Sequence, residues 1–192
     1  MALSSKHVDD VDTLRALAHP LRIKLLGRLR AHGPATASEL GRDLDESSGS
    51  TSYHLRQLER FGFVVEDEEQ PSKRERRWRA AHDVTSWRSA DFADSEAGRA
   101  ADEFIRRNQL QIMLDRLEHW SSIQHEWDPE WLDAAEHSDA ILFVRPADLT
   151  ALSAELWEVV ARYAENARPA DDPAAAHVSL HWLAIPSEGF PE

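Results

Sequence analysis

The side chains best equipped for chemistry in this 192-residue chain share one short stretch: Ser48, Ser50, Thr51, Ser52, Tyr53, His54, Arg56 and Gln57. Together they offer hydroxyls, a phenol, an imidazole, a guanidinium and an amide. That inventory suits base edges and phosphates in a DNA major groove. An ordinary solvated helix face is the alternative reading of the same residues. A second group follows closely: Lys73, Arg74, Arg76, Arg77 and Arg79, five cations within seven residues and with Trp78 among them. It is the densest basic cluster in the chain, and it suits contact with the DNA backbone or minor groove. Its alternative is a charged edge strand guarded against aggregation. Nothing comparable points to bond making or breaking. The chain lacks a Gly-rich phosphate loop and a cysteine nucleophile, and Ser47–Ser52 lacks the Gly-x-Ser-x-Gly elbow. No enzyme is expected, and no cofactor.

These residues need elements to hold them. At helical spacing over Ser50–Phe61, Thr51, Leu55 and Leu58 fall on one narrow face. Gly49, Tyr53, Arg56, Gln57 and Arg60 lie roughly opposite, with Ser50, Ser52 and His54 on the flanks. Leu55 and Leu58 are expected to pack on Leu40 and Leu44 of a preceding helix. That helix starts at a capping box, Thr36-Ala37-Ser38-Glu39. Ser47 or Ser48 caps the second helix, and Gly62 stops it. Upstream, Val11, Leu14, Leu17 and Ala18 predict a helix ending at His19-Pro20. Pro20 then opens another with Leu21, Leu25, Leu26 and Leu29, capped by His19 and stopped by Gly33-Pro34. Downstream, Phe63–Asp67 and Arg76–Ala80 read as strands of a hairpin, with Pro71-Ser72 in the turn between them.

The segments LRALAHPLRIKLLGRL, ASELGRDL, STSYHLRQLERFGFV and a basic wing ending RRWRA, in that order, resemble ArsR-type winged helix-turn-helix regulators over roughly residues 12–82. The resemblance implies homodimers that bind pseudo-palindromic operators in double-stranded DNA and block transcription until an inducer loosens them. Many metal-sensing members carry paired cysteines on the helix corresponding to Ala37–Leu44. This chain has no cysteine at all, which excludes thiolate metal sites, disulfides and thiol redox sensing.

The expected architecture is mostly α with a β-hairpin wing. A winged helix-turn-helix domain spans residues 8–82, with its recognition helix at about Ser48–Phe61. A polar, acidic connector follows over 83–97, tacked down by Trp87 and Phe92. From 98 to 127 runs a long helix in which Leu110 and Leu117 are seven residues apart, as are Met113, Trp120 and Trp127. Interleaved seven-residue series make a helix–helix seam, so this helix is expected to dimerise the chain through Leu110, Met113, Leu117 and Trp120. The winged-helix family resembled here also uses a terminal helix in that way. Residues 138–186 read as a small α/β element: a strand at Ala140–Val144, a helix from Pro146 and a last strand over His177–Ile185. Actinobacterial winged-helix proteins similar to this one often carry such a tail.

Charge is divided unevenly. Residues 1–88 hold 15 basic and 14 acidic residues, a net of +1, whereas residues 89–192 hold 7 and 21, a net of −14. The second half therefore cannot be the DNA-facing surface. It leaves a competing function, in which the winged fold is a scaffold and the acidic half binds a basic protein. The longest apolar run, Ala140–Val144, is far too short to span a membrane, and the first residues lack an apolar signal region. A cytoplasmic protein is expected. Asp115 and His119, four apart, share a helix face, and His177 and His181 alternate on the last strand, but neither pair has its complement at metal-ligand spacing. No metal site is expected. Six of the seven tryptophans lie beyond the wing and serve core or interface packing, or line a pocket for a small ligand. An inducer, if there is one, acts through this half as a small molecule or a protein partner.

Overall fold

Local punctuation lays out the first part of the chain. A computed structural model describes residues 3–69, 76–167 and 172–186. Helix α1 (Val11–Leu17) starts where Asp10 Oδ1 accepts the Thr13 amide at 2.8 Å. Helix α2 (Pro20–His32) has proline in its first turn, and His19 Nδ1 accepts the Leu21 amide at 3.2 Å. Gly33, at φ 79°, ends it in a conformation that side chains disfavour. The capping box closes as expected: Glu39 N–H donates to Thr36 Oγ1 at 3.2 Å, and Thr36 N–H to Glu39 Oε2 at 2.8 Å. It opens α3 (Ala37–Asp43), which leads into α4 (Ser48–Arg60).

Between α3 and α4 the chain must turn tightly. Asp45 adopts φ 55°, a region that Asp tolerates better than most residues. The approach of the two helices depends on Gly41: a Cβ there would stand 2.7 Å from the Glu46 carbonyl oxygen and 3.3 Å from Thr51 Oγ1. Gly41→Ala is therefore expected to cost about 1–3 kcal/mol through overpacking, read as a lower denaturant midpoint with an unchanged slope.

After Gly62 (φ 71°) the chain forms the hairpin of β3 (Val64–Glu66) and β4 (Arg77–Ala80). Together with β2 (Ala35–Thr36) they make an antiparallel sheet in the order β2-β4-β3. Val65 faces Arg79, and Ala35 faces Trp78. The core joins Leu14, Leu25, Leu40, Leu55, Leu58 and Phe63 with Trp78 of the wing. Two helices, a helix-turn-helix and a hairpin packed on one core are a winged helix-turn-helix.

Besides the short β2, two further strands have no counterpart in the sequence reading. Strand β1 (Ser5–His7) pairs in parallel with β5 (Val84–Ser86). Asp83 accepts from both the amide and the hydroxyl of Ser4, at 2.8 and 2.7 Å. Arg30 fastens this ladder to α2, donating to the His82 carbonyl at 2.9 Å and to Thr85 Oγ1 at 2.7 Å. Its burial pushes the guanidinium down to about 10, opposed by Asp83. The segment read as a connector is thus folded. Phe92 is buried in a 3-10 turn (Ser89–Phe92), and Trp87 donates to Asp102 Oδ1 at 2.6 Å.

Helix α5 (Glu96–Ile123) starts two residues before the expected bounds and ends four before them, which leaves Trp127 outside it. Residues 3–111 form one compact unit, and residues from Ile112 onward fall in a second. In the first, Gly98, Ala101 and Ile105 of α5 are buried. Farther along, Leu110, Leu114 and Leu117 are 44%, 48% and 38% exposed, while Met113 and Trp120 are half-buried. The second unit continues through a 3-10 turn (Gln124–Glu126) to α6 (Pro129–Ala134) and α7 (Pro146–Glu165). Trp127 stands edge-on to both Trp120 and Trp131 at 5.8 Å, and Trp157 edge-on to Trp182 at 4.8 Å.

The α7 helix forms where expected, but the two flanking strands do not. Residues 140–144 and 177–185 join no ladder. Apolar periodicity says that these residues need cover; a strand also needs a hydrogen-bonded neighbour. Among the described residues, no helix is long and apolar enough to cross a membrane.

Candidate nucleic-acid interface

Helix α4 divides cleanly into two faces. Thr51, Leu55 and Leu58 are fully buried against the core. Ser47 caps the helix, its Oγ accepting the Ser50 amide at 3.1 Å. On the opposite side Ser48, Tyr53, Arg56 and Arg60 are exposed, and Ser50, Ser52 and Gln57 are half-buried. Residues 53, 56, 57 and 60 form a continuous stripe at helical spacing, two guanidiniums beside a phenol and an amide. Arg60 extends the expected set by one turn, its guanidinium 5.5 Å from the Phe61 ring.

Two expected members leave that set. Thr51 is 0% exposed, and its hydroxyl donates to the Ser47 carbonyl at 3.0 Å, so it belongs to the core and has no free group to present. His54 turns inward. Its ring lies 4.3 Å from the His19 ring, and its Nδ1 is buried without a hydrogen-bond partner. Position on the wheel decides against Thr51; for His54, on the flank, the contact with His19 does.

The His19–His54 contact makes the fold sensitive to acid. Burial holds both imidazoles below their ordinary range, and Arg22 pushes each in the same direction while Glu46 opposes. At His54 the neighbouring His19 lowers it further. Because the folded state prefers neutral rings, the unfolded chain binds more protons below its ordinary value of about 6.5. The stability is present above that value and is lost as pH falls through it toward the folded values. Thermal unfolding is expected at a lower temperature near pH 5.5 than near pH 7.5, with the gap narrowed in His54→Gln. An equal gap in both proteins would remove the pair as its cause.

The wing's cations are unequal. Lys73 and Arg74 lie outside the described residues. Arg76 is exposed and reaches Glu66 Oε1 at 2.6 Å. Arg77 is bound into the fold, donating to the Pro34 carbonyl from Nε at 3.3 Å and from Nη2 at 3.2 Å, with Asp67 at 3.7 Å. It ties β4 to the start of β2. Arg79 is half-buried on the same strand.

Residues 17–67 match the family model described as "Helix-turn-helix domain". By this match the segment is similar to helix-turn-helix domains. It runs from the end of α1 through β3 and contains the whole of the α4 stripe. No curated protein matches the chain. Among solved structures, reduced HlyU from Vibrio cholerae is similar at 23% identity, covering 52% of this chain and 86% of its own, with a TM-score of 0.33. A MarR family regulator from Neisseria meningitidis is 16% identical over 77% of this chain and 80% of its own, at TM-score 0.34. Reduced AbfR bound to DNA is 23% identical over 54% and 69%, at 0.29.

An open groove of about 470 Å³ lies in the second unit. Asp115, His119 and Arg116 line it with Ile112, Trp120 and Trp127. Among the described residues no three His, Asp or Glu side chains gather where they could hold a metal ion.

Proposed function

We propose that this chain is a sequence-specific transcriptional regulator of the ArsR type, acting as a homodimer and repressing by occupying its operator. The observation that carries the reading is the two-faced α4 within a helix-turn-helix domain. One face is fully buried, while Tyr53, Arg56 and Arg60 are exposed on the other with Gln57 half-buried beside them. In this reading Ser48, Ser50, Ser52, Tyr53, Arg56 and Gln57 read base edges or the flanking phosphates. Lys73, Arg74, Arg76 and Arg79 hold backbone or minor groove, and Arg77 sets the wing's position. Leu110, Met113, Leu117 and Trp120 of α5 join two copies. Their separation must place two α4 helices about 34–36 Å apart to enter successive major grooves. With no thiol available, an inducer acts through the second unit.

Selection of bound fragments from random genomic DNA, at a stated salt concentration, tests this directly. Recovery of a pseudo-palindromic motif is the expected result. Recovery of sequence-independent fragments, or none above background, would leave the winged domain as a scaffold for protein contacts.

A further inference from the structure

The second unit does not complete its own core. From residue 112 to residue 186, no described residue is buried. Of the large apolar side chains left exposed among the described residues, seventeen lie at Leu110 or beyond, and only Tyr53 lies before it. Phe143 is fully exposed at 108%, Ile141 at 76%, and Val178, Leu180, Leu183 and Ile185 each at 61% or more. A folded single chain rarely leaves so many large apolar side chains exposed in one stretch of sequence; a chain with an interface there does.

The two segments that carry it have a common character. Ala140–Val144 and Val178–Ile185 contain no Asp, Glu, Lys or Arg, although they sit in a half of net charge −14. A basic foreign partner would be drawn to the acidic residues, not to these two stretches. Both are rich in β-branched and aromatic residues, yet neither joins a ladder. They differ in anchorage. The second segment rests on its own chain, where Arg116 donates to Ser179 Oγ at 3.0 Å and Trp182 meets Trp157 of α7 at 4.8 Å. The first projects Phe143 wholly into solvent. In the same unit, Leu114 and Leu117 of α5 are exposed as well. Seventeen exposed apolar residues approach the roughly 20–30 residues that each partner gives to a standard interface.

We infer that a second copy of this chain covers this surface by reciprocal strand exchange, with Ala140–Val144 of each copy pairing against Val178–Ile185 of the other. The arrangement is isologous: the same two segments meet twice about a twofold axis, and each chain lends one strand and receives one. Sheet formation then satisfies the backbone of both segments, and Phe143 and Ile141 enter the space beside α7. The exchange extends the dimerisation proposed for α5 but does not depend on DNA binding.

The absence of cysteine makes the test clean. Single-cysteine proteins are prepared with Leu142→Cys or Phe143→Cys, and others, on a tagged chain of different mass, with Leu180→Cys or Leu183→Cys. Mixed pairs are oxidised with copper phenanthroline and run without reductant. The expected result is a mixed disulfide between a first-segment and a second-segment cysteine, in at least one pair, well above any same-variant dimer. Only monomers, or only same-variant dimers, would overturn the exchange. Phe143→Lys supplies a second measurement. A side chain fully exposed in the single chain can be changed without harming its fold, so the variant should keep its helical circular dichroism while the dimer dissociation constant rises at least tenfold. An unchanged constant overturns the inference. Fragment selection separates the two proposals: a chain that selects an operator but gives no mixed disulfide loses only the exchange, and one that gives the disulfide but selects no DNA loses only the regulator reading.

Discussion

Leu117→Glu is expected to convert the protein to a monomer in sedimentation and to lower its operator affinity by about 10²–10⁴-fold. The size follows from placing an unpaired carboxylate in an apolar seam, which costs roughly 3–5 kcal/mol. The substitution is informative because Leu117 is already 38% exposed in the single chain, so the winged domain keeps its core of Leu25, Leu55 and Phe63. Far-ultraviolet circular dichroism should therefore be unchanged. A variant that remains dimeric would place the interface away from α5.

The second large effect separates reading from gripping. Replacing Arg56 and Gln57 together by alanine should remove roughly 1–3 kcal/mol of base discrimination per lost contact, flattening the selected motif while non-specific binding survives. Arg79→Ala should instead weaken all sequences alike and reduce the slope of log affinity against log salt by about one. Arg76→Ala is expected to show less of this effect, since Glu66 already neutralises that guanidinium at 2.6 Å. Arg77→Ala should destabilise the fold as well, because the Pro34 carbonyl loses its donors. Titration of a fixed operator and a scrambled duplex at several salt concentrations measures both quantities. If the two kinds of variant shift motif and slope alike, the assigned roles are wrong.

What could be read from the residues was what local chemistry dictates. Thr36 with Glu39, His19 before Pro20, and Gly62 after Phe61 are terminators and caps that act within a few residues, and each does so in the structure. The α4 stripe was legible because burial of Leu55 and Leu58 fixes the orientation of every other side chain on the helix. Thr51 follows that orientation into the core, whereas His54, on the flank, turns inward through a contact with His19 that no local pattern announces. Asp128-Pro129 is a helix-start signal of the same kind, and α6 could have been found from it. The β1–β5 ladder could not. Its partners stand 79 residues apart, and Ser-Lys-His has no strand signature, so the pairing rests on contacts of Ser4, Asp83 and Arg30 across long stretches of sequence. The opposite error arose at 140–144 and 177–185, whose composition is that of strands but whose partners lie on no other part of the described chain.

That ladder has a mechanical consequence. Strands β1 and β5 run in parallel, with β1 near the beginning of the chain and β5 on the way out of the winged domain. Tension applied from before Ser5 and from after Ser86 pulls the two strands lengthwise past each other. The bonds between them, Val8 to Ser86 at 2.9 Å and Val84 to Ser4 at 3.0 Å among them, are then loaded together rather than opened one after another. The β3–β4 hairpin, pulled at its two open ends, would unzip bond by bond. A load carried along the chain therefore meets a shear clamp first, and the helix-turn-helix behind it stays folded until that clamp gives way.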